Sequence, residues 1–353
     1  MKKNLFILAV TAAALASCSN DVTTAVNKTL NVPQEITFRS TTDGMTRAAD
    51  ITSAADLKSI NVYAFQTGTT ASPYISNITF TGPTTYTSSP TYNWPVYNLD
   101  FYAWSANSDS HGDASSQVST TVYNSYVVTP STTAAEQADF IYAAKSNVGS
   151  AGNAGGVALA FEHKESRILV KVKNTNSSLS FSVTGWKLGF MVPNATFNGS
   201  TWGSLGTASA STVYTSDFSS AAQDITYHAT NTTELTGSQI MIPQTVTPVS
   251  TYASSSNGAA VNGAYIGIEY TATLTPSTEY QAKTWGIWKI PAITWEAGKQ
   301  YTYIIDLAQG GYYETNQAST DENLDPIFVN TEIKFANVTI TNWVTTEDIS
   351  ASM

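Results

Sequence analysis

Apolar and aromatic side chains recur at every second residue along this chain, and that spacing constrains its fold more than any other feature. Ile60, Val62 and Ala64 alternate with Asn61, Tyr63 and Phe65. Leu99, Phe101 and Ala103 alternate with Asp100, Tyr102 and Trp104, and Ile168, Val170 and Val172 with Arg167, Leu169, Lys171 and Lys173. Tyr301, Tyr303, Ile305 and Leu307 share one face of a further run. A period of two, in segments rich in β-branched and aromatic residues, predicts half-buried strands. Turn signals punctuate them: "TGP" at 81–83, "NGS" at 198–200, "SSNG" at 255–258 and "AGK" at 297–299. Helical signals are weak. "SAADLKS" (53–59), led by Ser53 as a cap, predicts about two turns, and "STTAAEQAD" (131–139) another short helix. The reading is an all-β protein of β-sandwiches with one or two short helices.

At 353 residues the chain is long enough for two domains. The Gly/Ala/Ser/Asn-rich stretch from residue 146 reads as a flexible loop, and a clear strand restarts beyond it. This divides the chain into 18–47, a leading segment, 48–162, an N-terminal β-sandwich, and 163–353, a C-terminal β-sandwich. Only 12% of residues are charged, about half the usual share, so Thr, Ser, Asn and Gln must cover the surface. Such a surface suits packing against copies of itself or against polar polymers. The net charge is −10; without residues 1–47, which hold five basic and three acidic residues, it is −12. A chain this acidic will not hold nucleic acid through phosphates, and it has no polybasic patch for anionic lipid.

The N-terminus reads as an address. Lys2 and Lys3 precede an apolar run, Leu5 to Ala16, too short to span a bilayer, and "LASC" ends it. Small residues before a cysteine match a lipoprotein signal, 1–17, with Cys18 as the first mature residue and acceptor of the acyl chains. Cys18 is the only cysteine, so no intramolecular disulfide can form, and lipidation gives that thiol a role. Contact with membrane is expected only through the lipid on Cys18.

Catalytic and metal chemistry are not encoded in any recognisable pattern. His111, His163 and His228 are isolated from one another. "HGD" at 111–113 sits in a serine-rich turn, and the "GSAGNAGG" glycines lack the ending of a phosphate loop. Asp321, Asn323 and Asp325, with Glu332, have EF-hand-like spacing for calcium, yet the position that must be glycine is Pro326. That stretch reads as an acidic surface loop. No cofactor is expected and the chain is read as a non-enzyme. "TWGIWKIPAITW" (284–295) carries three tryptophans that could stack on sugars, though sandwich core is the commoner use of such residues.

Several segments together resemble the fimbrillin-like family, the type V pilins of Gram-negative anaerobes. They are "LASC", "TRAAD", "INVYAF", "LDFYAWSAN", "ADFIYAAKS", "FEHKESRILVKVKN", "MIPQ", "WEAGKQYTYIIDL" and "VTITNW", in that order along the chain. The resemblance implies two transthyretin-like β-sandwiches in tandem, an outer-membrane lipoprotein precursor and assembly into a surface fimbria after proteolysis. It also implies cleavage by an Arg-specific surface protease after an arginine in the loop following the first strand. Arg47-Ala48 occupies that place. The residues agree: of three arginines, Arg39 and Arg167 fall in apparent strands, and Arg47 lies among small residues where a protease can extend the chain.

The segment before the cut carries Leu30, Val32, Ile36 and Phe38, with Pro33 marking a bent or edge strand. It is expected to fill a groove until removed. A strand from another pilin subunit, of the same or an accessory kind, then replaces it. The donor is expected in "VTTEDISASM", with Ile349, Ala351 and Met353 on one face. The alternative is a lipid-anchored adhesin or glycan-binding lipoprotein that does not polymerise, with a host protein or glycan as receptor.

Overall fold

The computed structural model describes residues 33–41, 57–83, 85–105, 118–120, 122–249, 251–255, 258–274, 278–309, 312–313 and 338–343. The fold is all-β, made of several sheets and no barrel. Helix among the described residues amounts to three single 3₁₀ turns, at Ala134–Glu136, Ser219–Ala221 and Leu307–Gln309. The expected short helix at 131–139 is a single 3₁₀ turn, and most of the one expected at 53–59 lies outside the described residues. In 131–139 one turn forms and stops because Gln137 turns extended. Its buried amide serves distant partners, accepting from the Ile240 N–H at 2.6 Å and donating to the Ser131 carbonyl at 2.9 Å. In 53–59, the described part is not helical. Lys58 accepts from the Gly82 N–H, and Ser59 opens a strand paired with Thr81. No helix among the described residues is long and apolar enough to cross a membrane.

A five-stranded antiparallel sheet organises the first part of the chain. Its order is Ile75–Thr81, Ser59–Gln66, Leu99–Ser105, Ile141–Val148 and Glu162–His163. Ile60, Val62, Ala64, Leu99, Phe101 and Ala103 line one face, in a core shared with Ile36 and Phe38. The expectation of half-buried strands holds at the edge strand Ile75–Thr81, whose outward residues are largely exposed, and fails on the central strands, where large side chains are buried on the opposite face too. Tyr63, Phe65, Trp104 and Tyr142 pack there against Tyr126, Phe140, Phe197 and Ile242. Tyr126 meets the Trp104 ring edge-on at 5.0 Å and that of Tyr142 at 5.6 Å. The cover on this side is a second small sheet, Val118–Thr120, Tyr126–Val128, Ala195–Phe197 and Trp202–Gly203, which takes strands from both sides of residue 162.

From Ser166 onward two sheets face each other. One runs Val213–Asp217, Leu179–Gly189, Tyr265–Leu274, Thr278–Lys289 and Tyr312–Tyr313, with Gln223–Ile225 also on Leu179–Gly189. The other runs Thr233–Glu234, Ser166–Lys173, Lys299–Asp306 and Val338–Asn342, with Gln239–Met241 also on Ser166–Lys173. Ser166–Lys173 and Lys299–Asp306 are parallel. Ile168, Val170, Val172, Tyr301, Tyr303 and Ile305 point into the shared core, the face their alternation assigns. Trp186, Trp288 and Trp295 fill its centre. Two tyrosines bring polar tips into that core and satisfy them. The Trp295 Nε1–H donates to the Tyr303 hydroxyl at 2.9 Å, and the Tyr301 hydroxyl bonds the Thr294 carbonyl at 3.0 Å.

Replacing Tyr303 by Phe leaves the buried Trp295 N–H without its acceptor and should cost about 1–3 kcal/mol in urea-induced unfolding. Burial also pushes the phenols of Tyr126, Tyr142, Tyr214 and Tyr303 well above the ordinary 10.0. The unfolded chain ionises these groups near that ordinary value, so the stability they contribute is complete below it and is lost as pH rises above it. In a titration followed by phenolate absorbance, these four should ionise only together with loss of tertiary structure.

Candidate functional site

Residues 34–41 form the site. Phe38–Thr41 pairs in parallel with Val157–Ala160, Phe38 opposite Val157. Its other edge faces the 86–94 loop, antiparallel. Phe38 and Tyr86 exchange backbone bonds of 3.1 and 2.8 Å, the Ile36 N–H donates to the Tyr92 carbonyl at 2.7 Å, and the Trp94 N–H donates to the Gln34 carbonyl at 2.9 Å. The segment is thus bonded along both edges, as an interior strand is. Its side chains alternate: Ile36 and Phe38 are 0% exposed, whereas Arg39 between Phe38 and Ser40 is exposed. The Phe38 ring meets Phe80 edge-on at 4.8 Å and Phe101 at 5.1 Å. Gly156, at φ +90°, lets the chain before Val157 close against the segment. A Cβ there would lie 3.1 Å from Thr37 Oγ1 and 3.2 Å from the Phe38 carbonyl carbon.

Ile36 and Phe38 therefore sit in one apolar groove. Leu30 and Val32 lie outside the described residues, as do Cys18, Arg47, Ala48, Ile349, Ala351 and Met353. So do His111, Asp113, Asp321, Asn323, Asp325 and Glu332. Arg39 and Arg167 both lie in strands, Phe38–Thr41 and Ser166–Lys173. His228 is a turn residue whose Nδ1 accepts from the Asn231 N–H at 3.0 Å. The 284–295 stretch is chiefly core: Trp288 and Trp295 are buried, and Trp285 is roofed by the Lys187 ammonium 4.1 Å from its ring. It presents no row of free rings for a sugar.

A second cluster brings together distant parts of the chain. His163 stacks on Trp343, with ring centres 4.1 Å apart and planes at 12°. Its Nδ1 lies 2.7 Å from Asp139 Oδ2, close but not aligned as a hydrogen bond. Beside it, the buried Glu165 carboxylate accepts from the Phe140 N–H at 2.9 Å, and the Glu165 carbonyl accepts from Gly298. The Trp343 N–H also donates to the Gly298 carbonyl at 2.7 Å.

The fimbrillin-like family model matches residues 46–343. The chain belongs to the fimbrillin-like family. A fimbrial protein from Bacteroides vulgatus shares the fold at a TM-score of 0.57, with 15% identity over 88% of this chain and 99% of that one. A fimbrilin from Porphyromonas gingivalis aligns at a TM-score of 0.39, with 11% identity over 89% and 99% of the two chains. No curated protein sequence matches the chain.

Three of the segments that carry the fimbrillin-like resemblance supply this second cluster. Asp139 comes from "ADFIYAAKS", His163 and Glu165 from "FEHKESRILVKVKN" and Trp343 from "VTITNW". The motifs signalled these residues, but no sequence spacing announced that they meet. The pairing of 34–41 with 157–160 had no sequence signal either, since the alternation of Ile36 and Phe38 names a strand without naming its neighbour.

Phe38→Ala should lower the unfolding free energy by about 3–5 kcal/mol, through lost burial and the cavity left beside Phe80 and Phe101. Arg39→Ala, on the exposed face, should change it by about 0.5 kcal/mol or less. Denaturant titration of the full chain measures both, and similar losses for the two would show that the groove does not hold Phe38 as described.

Proposed function

We propose that this chain is a structural subunit of a surface fimbria, made as a lipoprotein through Cys18, activated by cleavage after Arg47 and joined to other subunits by strand exchange. Residues 48–162 and 163–353 act as its two sandwiches in this reading. One observation carries it. The segment immediately before the cut is an interior strand by its hydrogen bonds, with two fully buried side chains, yet it is covalently tied only at the Arg47 side once the leader is gone. Cutting a peptide bond in the 42–56 stretch leaves it held by non-covalent contacts alone. Its departure uncovers a groove lined by Phe80 and Phe101 and two rows of backbone groups without partners, which another extended chain can satisfy. Two further facts support the reading. The family match begins at residue 46, next to Arg47-Ala48, and the Bacteroides vulgatus neighbour that shares the fold is a fimbrial protein. Family membership favours a structural or adhesive role over catalysis.

The test is the N-terminus of the protein recovered from the surface of cells that express it. Ala48 on surface material, together with retention of acylated Cys18 and absence from fibres in an Arg47→Ala variant, is the expected result. Acylated Cys18 on wild-type surface protein would support the anchored, non-polymerising adhesin instead.

A further inference from the structure

The groove filled by residues 34–41 has two adjacent, fully enclosed side-chain positions. One holds Ile36 and the next, two residues on, holds Phe38 between the edges of Phe80 and Phe101. Its direction is fixed as well, parallel to Val157–Ala160 and antiparallel to the 86–94 loop. Any strand that replaces 34–41 with the same ladders must present an aliphatic residue and then, at the second residue after it, a ring. Resting on the strand-exchange reading above, we infer that the groove selects a donor strand of the form aliphatic-x-aromatic and that this chain's own 344–353 segment is not its proper occupant.

Register excludes the 344–353 segment. "VTTEDISASM" offers Thr345, Glu347, Ile349, Ala351 and Met353 at one parity, and Val344, Thr346, Asp348, Ser350 and Ser352 at the other. Two neighbouring enclosed positions take consecutive residues of one parity. The pair Ile349 and Ala351 puts a methyl where a phenyl ring belongs. The pair Ala351 and Met353 puts a methyl where Ile36 belongs and a flexible thioether between two ring edges. The pairs Thr345 and Glu347, and Glu347 and Ile349, bury a carboxylate; at the other parity the pair Val344 and Thr346 puts a hydroxyl where the ring belongs, and the remaining pairs bury Asp348 or two serine hydroxyls. Every register leaves a cavity or an uncompensated polar group in a close-packed site. The ring-for-methyl mismatch alone weakens binding on the order of a hundredfold or more. The groove thus fits a donor strand from another subunit that carries the ring, and the 344–353 segment fits a groove with a smaller second position.

Peptide exchange tests this on the whole protein. The precursor is nicked with an Arg-specific protease, both pieces are retained, and labelled ten-residue peptides compete for the groove, read by fluorescence anisotropy. The four peptides are residues 32–41, the same with Phe38→Ala, residues 344–353, and the same with Ala351→Phe. The first and fourth should bind, and the second and third should bind roughly a hundredfold more weakly. Equal binding of residues 344–353 and residues 32–41 would overturn the selection while leaving strand exchange intact. Failure of all four, including residues 32–41, would overturn strand exchange itself and the inference with it.

Discussion

The central strands Ser59–Gln66 and Leu99–Ser105 bury large side chains on both faces of their sheet, and much of the molecule follows from that. A sheet with one wet face needs a single cover. This one needs two, because Ile60, Val62 and Phe101 emerge on one side and Tyr63, Phe65 and Trp104 on the other. One cover includes the strand pair Phe38–Thr41 and Val157–Ala160. The other is the small sheet containing Tyr126–Val128 and Ala195–Phe197. The first cover is completed by a segment that belongs to the chain's leading end. The second is completed by strands from beyond Ser166. The same sheet therefore holds the leading segment on one face and strands from the later part of the chain on the other.

Much of the strand architecture was legible in the sequence because period two survives burial on one face. Tyr301, Tyr303 and Ile305 point inward together, and the turns at Gly199 and Gly298 fall at positive φ where their sequences place them. The two-sided sheet was legible only in part. Both parities of 60–65 and 99–104 are rich in large side chains, and a half-buried strand has no reason to carry Tyr, Phe and Trp on its outer face. The helix expected at 131–139 is cut to one turn for a different reason. Local propensity at 131–139 favoured turns of helix, but the Gln137 amide is the partner of a backbone group a hundred residues away, and the tertiary bond prevails.

The candidate groove and the Asp139–His163–Trp343 cluster share a property that kept them out of reach of sequence reasoning. Both are made of contacts between residues far apart in the chain. Alternation reports which face a residue takes; it carries no information about which strand lies beside it. The motif segments did contain Asp139, His163, Glu165 and Trp343, so the letters were visible and their meeting was not. At that meeting point the end of the 338–342 strand is held against the start of the strand that follows His163.

The parallel pairing of Phe38 with Val157 has a consequence in time. A chain that emerges N-terminus first exposes Ile36 and Phe38 long before either of their walls exists, since Phe80, Tyr86 and Phe101 come later and Val157 later still. Closing so long a loop costs entropy that is recovered only once the receiving surface has formed. The leading segment is therefore seated as a ligand would be, on a surface built wholly from later residues that happen to share its backbone.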